Sequence, residues 1–436
     1  MSTRRDFLRR VAGSSAAFMF FTSDSFSNVL DAISKIPPNT TPEKLSEDES
    51  FWSQIQSAFD VDRTIANFNN GGCSPSPDTV HRTLKRYLDY SNQAPSYFMW
   101  RDLEPNVEAV REQIARNFAC DKEEIAITRN ASESLLIIQL GIDLQPGDEV
   151  LTTIYDYPRM LTTWDQRARR DKIVVKKVRY PVPLMNPKDY IKIIEESITP
   201  KTKVILLSHV VFLTGQILPV KEISRIARER GILFICDGAH SFSHFPFTVK
   251  DLECDFFGTS LHKWTYAPIG TGFLYVKKDL IPKVWPMMAA PESLDDNIRK
   301  FEEIGTHPAA NHNAISEALS FNEGLGLDRK AARLRYLHKR WINRLKNYPN
   351  VKFMTNIEDE TQWCGIVNVN IEGTDIVKLS NYIMSQHKIY QIPIKTDYFH
   401  GLRISPNVYT RLSEIDLFAD IMTEAASGKI KEVMAG

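Results

Sequence analysis

The stretch from Ile232 to Val276 constrains the fold of this chain more than any other. Its first apolar run, Ile232 to Cys236, ends in Asp237. That is the pattern of a strand buried on both faces and delivering a carboxylate at its carboxyl end. A second run begins at Asp255 and ends in Ser260-Leu261-His262-Lys263-Trp264, bringing a lysine to the edge of the same sheet. A third, Gly272 to Val276, closes the group. Ligands of open α/β sheets sit outside the carboxyl ends of the strands, so Asp237 and Lys263 are expected to face one crevice.

Taken singly, these residues are ordinary: an N-cap or ion-paired aspartate and a solvated lysine. On successive strand ends, with His240, Ser260 and His262 beside them, they suit pyridoxal 5'-phosphate. A lysine amine condenses with its aldehyde, and a carboxylate keeps its pyridine nitrogen protonated, so the ring can draw electrons from a substrate's α-carbon. A rival reading gathers Asp237, His240, His244 and His262 around a metal. A metal does not require the adjacent lysine, and none is expected.

The motifs D-G-A-H from Asp237, D-F-x-x-x-S-x-H-K-W from Asp255 and G-T-G-F-L-Y-V from Gly270 resemble the class V aminotransferase family of fold type I pyridoxal phosphate enzymes. The likeness runs from about Asn67 to about Ile421. The Tyr155-Asp156-Tyr157-Pro158 and Asn69-Asn70-Gly71-Gly72 stretches are closest to its isopenicillin N epimerase-like branch. The resemblance implies an α/β fold: a mostly parallel sheet flanked by helices, with a smaller C-terminal α+β domain.

It also implies roles. The cofactor phosphate would sit on the amides of Ala131 and Ser132 at a helix start, where N–H groups are free and the dipole favours anions. Ser260 and His262 would add phosphate contacts, and His240 would bond the phenolic oxygen. Tyr157 would stack on the ring, Arg403 would clamp the substrate α-carboxylate, and Asn70 with Gly71 would meet substrate. Thr306 would reach the phosphate of a neighbouring subunit, implying a homodimer with shared sites. Residue by residue, plainer alternatives stay open: a turn at Asn70, an N-cap at Ser132, a core tyrosine at Tyr157, a helix cap at Thr306, a surface arginine at Arg403. His209, at a strand end, reads as structural.

The implied activity acts at the α-carbon of a small amino acid through a Lys263 aldimine, with Lys263 as base and Asp237 stabilising the carbanion. The outcome is transamination or epimerisation. The alternatives are a C–S or other β/γ-lyase, and a protein that binds the cofactor without turnover. Persulfide chemistry is disfavoured, because the interval from Lys388 to Leu402, just before Arg403, holds no cysteine.

Composition sets outer bounds. Lys+Arg and Asp+Glu are both 54, so no net field points to nucleic acid. Five cysteines without a CxxC pair indicate neither a zinc ribbon nor a disulfide framework. Arg4-Arg5, Phe7-Leu8 and the apolar stretch Val11 to Phe21 resemble a twin-arginine signal; a basic amphipathic N-terminus is the alternative. Recognition by the twin-arginine export machinery would make the protein periplasmic or exported, or membrane-anchored if the signal is uncleaved. The expected organisation is a signal segment over 1–30, a linker over 31–50, a large cofactor domain over 51–325 and a small domain over 326–436. Within 125–230, strands alternate with helices, which implies βαβ units.

Overall fold

The computed structural model describes residues 24–434. Seven strands form the main sheet: β1 (Ile125–Thr128), β2 (Glu149–Thr153), β3 (Val174–Val178), β4 (Thr202–Ser208), β5 (Leu233–Asp237), β6 (Phe256–Ser260) and β7 (Gly272–Val276). Their order is β1-β7-β6-β5-β4-β2-β3. Strands β2 to β6 are mutually parallel, and β7 runs antiparallel to both its neighbours. This is the expected α/β architecture with a mostly parallel sheet.

The strands read as unbroken apolar runs because both faces are covered. In β4, Ile205 and Leu207 enter one core while Val204 and Leu206 enter the other. In β5, Phe234 and Cys236 part from Ile235 in the same way. The period of two along a strand therefore fills two cores at once. Register then aligns the carboxyl ends: Asp237 lies opposite Ser208 on β4 and Gly258 on β6.

A second, antiparallel sheet carries β8 (Val351–Phe353), β9 (Val367–Ile371), β10 (Ile392–Lys395) and β11 (His400–Ile404) in the order β10-β11-β9-β8. Leu337, Trp341 and Leu345 from helix Leu327–Leu345 and Phe418 and Met422 from helix Leu412–Ala426 pack with Val367 and Val369 beneath it.

In the N-terminal part, residues 70–72 form the turn weighed for Asn70, and the stretch before it is tied to the C-terminal part. Ala66–Asn67 pairs in parallel with Ile389–Tyr390, and Asn69 bridges to Ser405. The stretch 31–50 was expected to be a linker but is part of the packed body. Helix Asp24–Ser34 runs into it, Thr41 caps helix Pro42–Ser46, and Asp48 caps helix Glu49–Ser57. Val29, Leu45, Trp52 and Ile55 are buried in one cluster with Tyr266, Phe321 and Val408. The Trp52 indole N–H donates to the Leu45 carbonyl at 2.8 Å. Its Pro, Thr, Ser and Glu serve as caps and N-terminal turns, which average composition disguises. The Arg4-Arg5 motif lies outside the described residues.

Candidate active site

A cavity of about 460 Å³ opens at the carboxyl ends of β4, β5 and β6, and its wall includes Asp237, His240, Ser260, His262, Lys263 and Arg403. The strand that ends in Asp237 turns sharply, and one carboxylate oxygen accepts the Ala239 N–H at 3.0 Å. Burial pushes the Asp237 pKa up to about 6, against the Ala239 hydrogen bond and the Lys263 charge. Lys263 follows β6 by three residues. Burial lowers its pKa to about 8, partly offset by Asp237. Its Nζ lies 3.1 Å from His240 Nε2. Burial, with the Lys263 charge second, holds His240 well below the usual imidazole range, so its ring is neutral. Its Nδ1 is buried without a partner.

The expected phosphate end is built from a helix start. Asn130 caps helix Ala131–Gly141 by accepting the Glu133 N–H at 2.9 Å. The Ala131 N–H points at Ser260 Oγ, 2.9 Å away. Ala131, Ser132, Ser260 and His262 all line the cavity. Glycine at 272 permits this approach: a Cβ there would lie 2.7 Å from Asn130 Cα and 2.6 Å from the Thr259 carbonyl. His262 is also held neutral by burial, its pKa lowered to about 4, and its Nδ1 has no partner.

Arg403 reaches the cavity from β11 of the other sheet. It is 7 % exposed, and among the described residues no carboxylate pairs with it. Its Nη1 donates to the Phe212 carbonyl at 3.0 Å and its Nη2 to Asn69 Oδ1 at 2.7 Å, while Nε is unpartnered. Burial lowers its pKa to about 10. Tyr157 stands at the start of helix Pro158–Asp171 and lines the cavity, its ring edge-on to Phe212 at 5.3 Å.

Asn70 is the clear correction. Its side chain is fully buried and turned away from the cavity: Nδ2 donates to the carbonyls of Asn67 and Ser405, and Oδ1 accepts from the Tyr409 hydroxyl. A buried amide with every group engaged cannot also bind substrate. Gly71, Gly72 and Cys73 line the cavity instead. Thr306 is exposed and does not line the cavity of its own chain. His209, read as structural, is buried with its ring packed on Phe245 and Phe247.

Several supports went unseen in the sequence. Asp156 is buried and accepts from Thr152, Thr153 and Ser208, fixing the ends of β2 and β4 beside the cavity. Its signal was an acid three residues after a Thr-Thr strand end. His244, once a metal candidate, stacks on Trp264 at 3.7 Å, with Nδ1 donating to the His240 carbonyl and Nε2 accepting the Gly365 N–H. Beneath it, the buried Lys330 donates to the Trp264 carbonyl and lies 3.8 Å over the Tyr266 ring. Tyr266 sits at φ +67°, which a side chain rarely adopts. Its hydroxyl is anchored on Asn407 Oδ1 at 2.6 Å.

These groups fit pyridoxal phosphate. One buried lysine with a lowered pKa would meet the aldehyde, one buried carboxyl the pyridine nitrogen, and a capped helix start the phosphate. The unpartnered nitrogens of His240, His262 and Arg403 leave donors or acceptors for ligand atoms. The chain is 27% identical over 395 residues to isopenicillin N epimerase of Streptomyces clavuligerus, covering 87% of this chain and 99% of that protein. It is 27% identical to a cysteine desulfurase of Haloferax volcanii over 70% of this chain and 75% of that one. Its fold matches the apo structure of cysteine desulfurase from Thermococcus onnurineus NA1 with a TM-score of 0.74 at 23% identity, covering 86% and 98% of the two chains. Residues 66–396 match the family description "Aminotransferase class-V", and the chain belongs to this family of pyridoxal phosphate enzymes.

Proposed function

We propose that the protein transfers protons at the α-carbon of a free amino acid, as an aminotransferase or an isopenicillin N epimerase-like enzyme. The observation that carries this reading is Arg403, a buried guanidinium without a carboxylate partner, on the wall of the cavity that holds Lys263. Planar guanidinium binds a carboxylate bidentately, and burial of an unpaired cation favours any anion that completes it.

Bound pyridoxal phosphate would supply an aldehyde for the substrate amine and a ring that spreads the electron pair left at the α-carbon. The chain would supply the rest. Arg403 orients the carboxylate, Tyr157 covers one ring face, and Asp237 keeps a proton at the pyridine nitrogen. Ala131, Ser132, Ser260 and His262 hold the phosphate, and His240 holds the phenolic oxygen. Lys263, with its pKa lowered toward neutrality, removes the α-proton; delivery of a proton to a different carbon gives the aminotransferase outcome, and protonation of the α-carbon on its opposite face gives the epimerase outcome.

Thr306, exposed in a single chain, fits a homodimer in which it completes the phosphate site of a second copy. Mass measurement in solution, with the Thr306→Ala variant losing cofactor but not the dimer, tests that arrangement. Export by the twin-arginine route rests on Arg4-Arg5, and an Arg4→Lys/Arg5→Lys pair should retain the protein in the cytoplasm.

A second reading, C–S lysis, is supported by one observation: Cys73 lines the cavity from the loop that carries Asn70 and Gly71. Single-turnover reaction of the holoenzyme with amino acids separates these outcomes. Accumulation of aminated cofactor supports transamination, and solvent deuterium at the α-carbon alone supports epimerisation. Sulfide with pyruvate and ammonia supports the lyase. No reaction with any amino acid, together with no pyridoxyl adduct on Lys263 after borohydride, refutes enzyme action at this site.

A further inference from the structure

We infer that the site selects amino acids with an uncharged, apolar side chain. This rests on the reading that Arg403 takes the α-carboxylate, and it deepens that reading by naming what surrounds the rest of the substrate. Arg403 lies directly opposite Ile392 in the antiparallel pairing of β10 with β11. Directly opposed residues share one face of a sheet, and so does the residue two further along. Ile392, Ile394 and Arg403 therefore stand on one face, and all three line the cavity. The guanidinium is set into an aliphatic wall.

Its other flank is aromatic. The carbonyl that accepts from Arg403 Nη1 belongs to Phe212, whose ring also lines the cavity and packs edge-on to Tyr157. Gly71, Gly72 and Cys73 line the cavity as well. A substrate anchored by its carboxylate and amine would thus project its side chain among Ile392, Ile394, Phe212 and Cys73.

The charge inventory points the same way. Among the described lining residues the charged groups are Asp237, Lys263 and Arg403, and each has a function already. Arg179 is held over the Tyr398 ring at 4.8 Å and is not part of the wall. Arg101 lines a separate, open cavity with Ser96, Tyr97 and Trp100. Against Ile392, Ile394 and Phe212, a second carboxylate or an ammonium would lose water without gaining a partner from these side chains, which costs more than any contact they could make. An apolar side chain there gains in proportion to the surface it buries.

The test titrates the cofactor-loaded protein with near-isosteric ligands: norleucine against lysine, and methionine or leucine against glutamate. Affinity is read from the change in cofactor absorbance, and independently from the shift in melting temperature. Norleucine and methionine are expected to bind at least about 100-fold more tightly than lysine or glutamate, the ratio expected where a charged group goes unpaired. A gain-of-function variant, Ile392→Arg, should raise glutamate affinity at least tenfold relative to norleucine at an unchanged melting temperature. Ile394→Arg gives the same reading should the first variant fold poorly. Equal binding of charged and apolar ligands overturns the inference while leaving the α-carboxylate reading intact. No response to any amino acid overturns that reading and the inference with it.

Discussion

Replacing Arg403 by methionine separates what this residue does for substrate from what it does for the fold. In the free protein its charge is desolvated and meets only neutral acceptors, the Phe212 carbonyl and Asn69 Oδ1. Removing the guanidinium strands those two oxygens, at about 1–3 kcal/mol for each that stays buried and dry. It also removes an unpaired buried charge, recovering several kcal/mol. The two effects oppose each other, so the melting temperature should hold or rise. Substrate binding has no such compensation. Losing one partner of a buried, hydrogen-bonded charge pair costs about 2–5 kcal/mol. At about 1.4 kcal/mol per decade, kcat/KM should fall roughly 30- to 5000-fold. Arg403→Lys keeps a charge but loses the fork, and should fall between. Thermal melts of the holoenzyme alongside single-turnover kinetics read both quantities. A methionine variant that unfolds several degrees earlier yet binds amino acids within threefold of the parent would show Arg403 to be a strand residue with no part in recognition.

Four further outcomes follow from the site. The folded Lys263 pKa of about 8 lies below an unfolded lysine's about 10.4, so the unfolded chain binds more protons between those values. Lys263 should therefore add stability to the cofactor-free protein as pH rises from about 8 to about 10, and Lys263→Met should reduce that slope in urea melts. For Asp237 the sign reverses: its folded pKa of about 6 exceeds the unfolded value of about 3.9. Its contribution is thus lost as pH rises from about 4 to about 6, and Asp237→Asn should flatten that limb. Gly272→Ala would push a Cβ against the Asn130 and Thr259 backbones, at about 1–3 kcal/mol of overpacking. Calorimetry should show the lower melting temperature, with a matching loss of inorganic phosphate affinity. Tyr157→Ala should loosen the cofactor by about 1 kcal/mol beyond lost burial, seen as faster release on dilution.

The sequence was most legible where geometry is local. Alternation of apolar runs with turn residues located β5, β6 and β7 to within a residue or so, because each strand is buried on both faces. Asp237 and Lys263 share the cavity because parallel strands end at a common edge. Residues 31–50 were misjudged for the opposite reason. Their burial depends on Tyr266, Phe321 and Val408, which are far away in sequence, and no local pattern announces such a surface. Asn70 failed similarly: a small polar residue in a glycine-rich loop looks like a ligand contact until Ser405 and Tyr409 are known to enclose it.

That enclosure explains how two sheets make one site. Lys263 belongs to the parallel sheet and Arg403 to the antiparallel one, so their spacing depends on whatever joins the sheets. One joining element is the loop from Asn69 to Ser74. Asn69 accepts from Arg403, while the amides of Asn70 and Gly71 donate to the Ser405 carbonyl and hydroxyl. Three residues on, the Ser74 amide donates to the carbonyl of His262, immediately before Lys263. Asn407 Nδ2 then links back to Ser74 Oγ at 2.9 Å. The strap spans the gap between the carboxylate clamp and the lysine with hydrogen bonds at both ends, and the small residues Gly71 and Gly72 leave the cavity between them open. Asn70 therefore matters to recognition through the distance it maintains, because a clamp misplaced by about 1 Å costs on the order of 100-fold in rate.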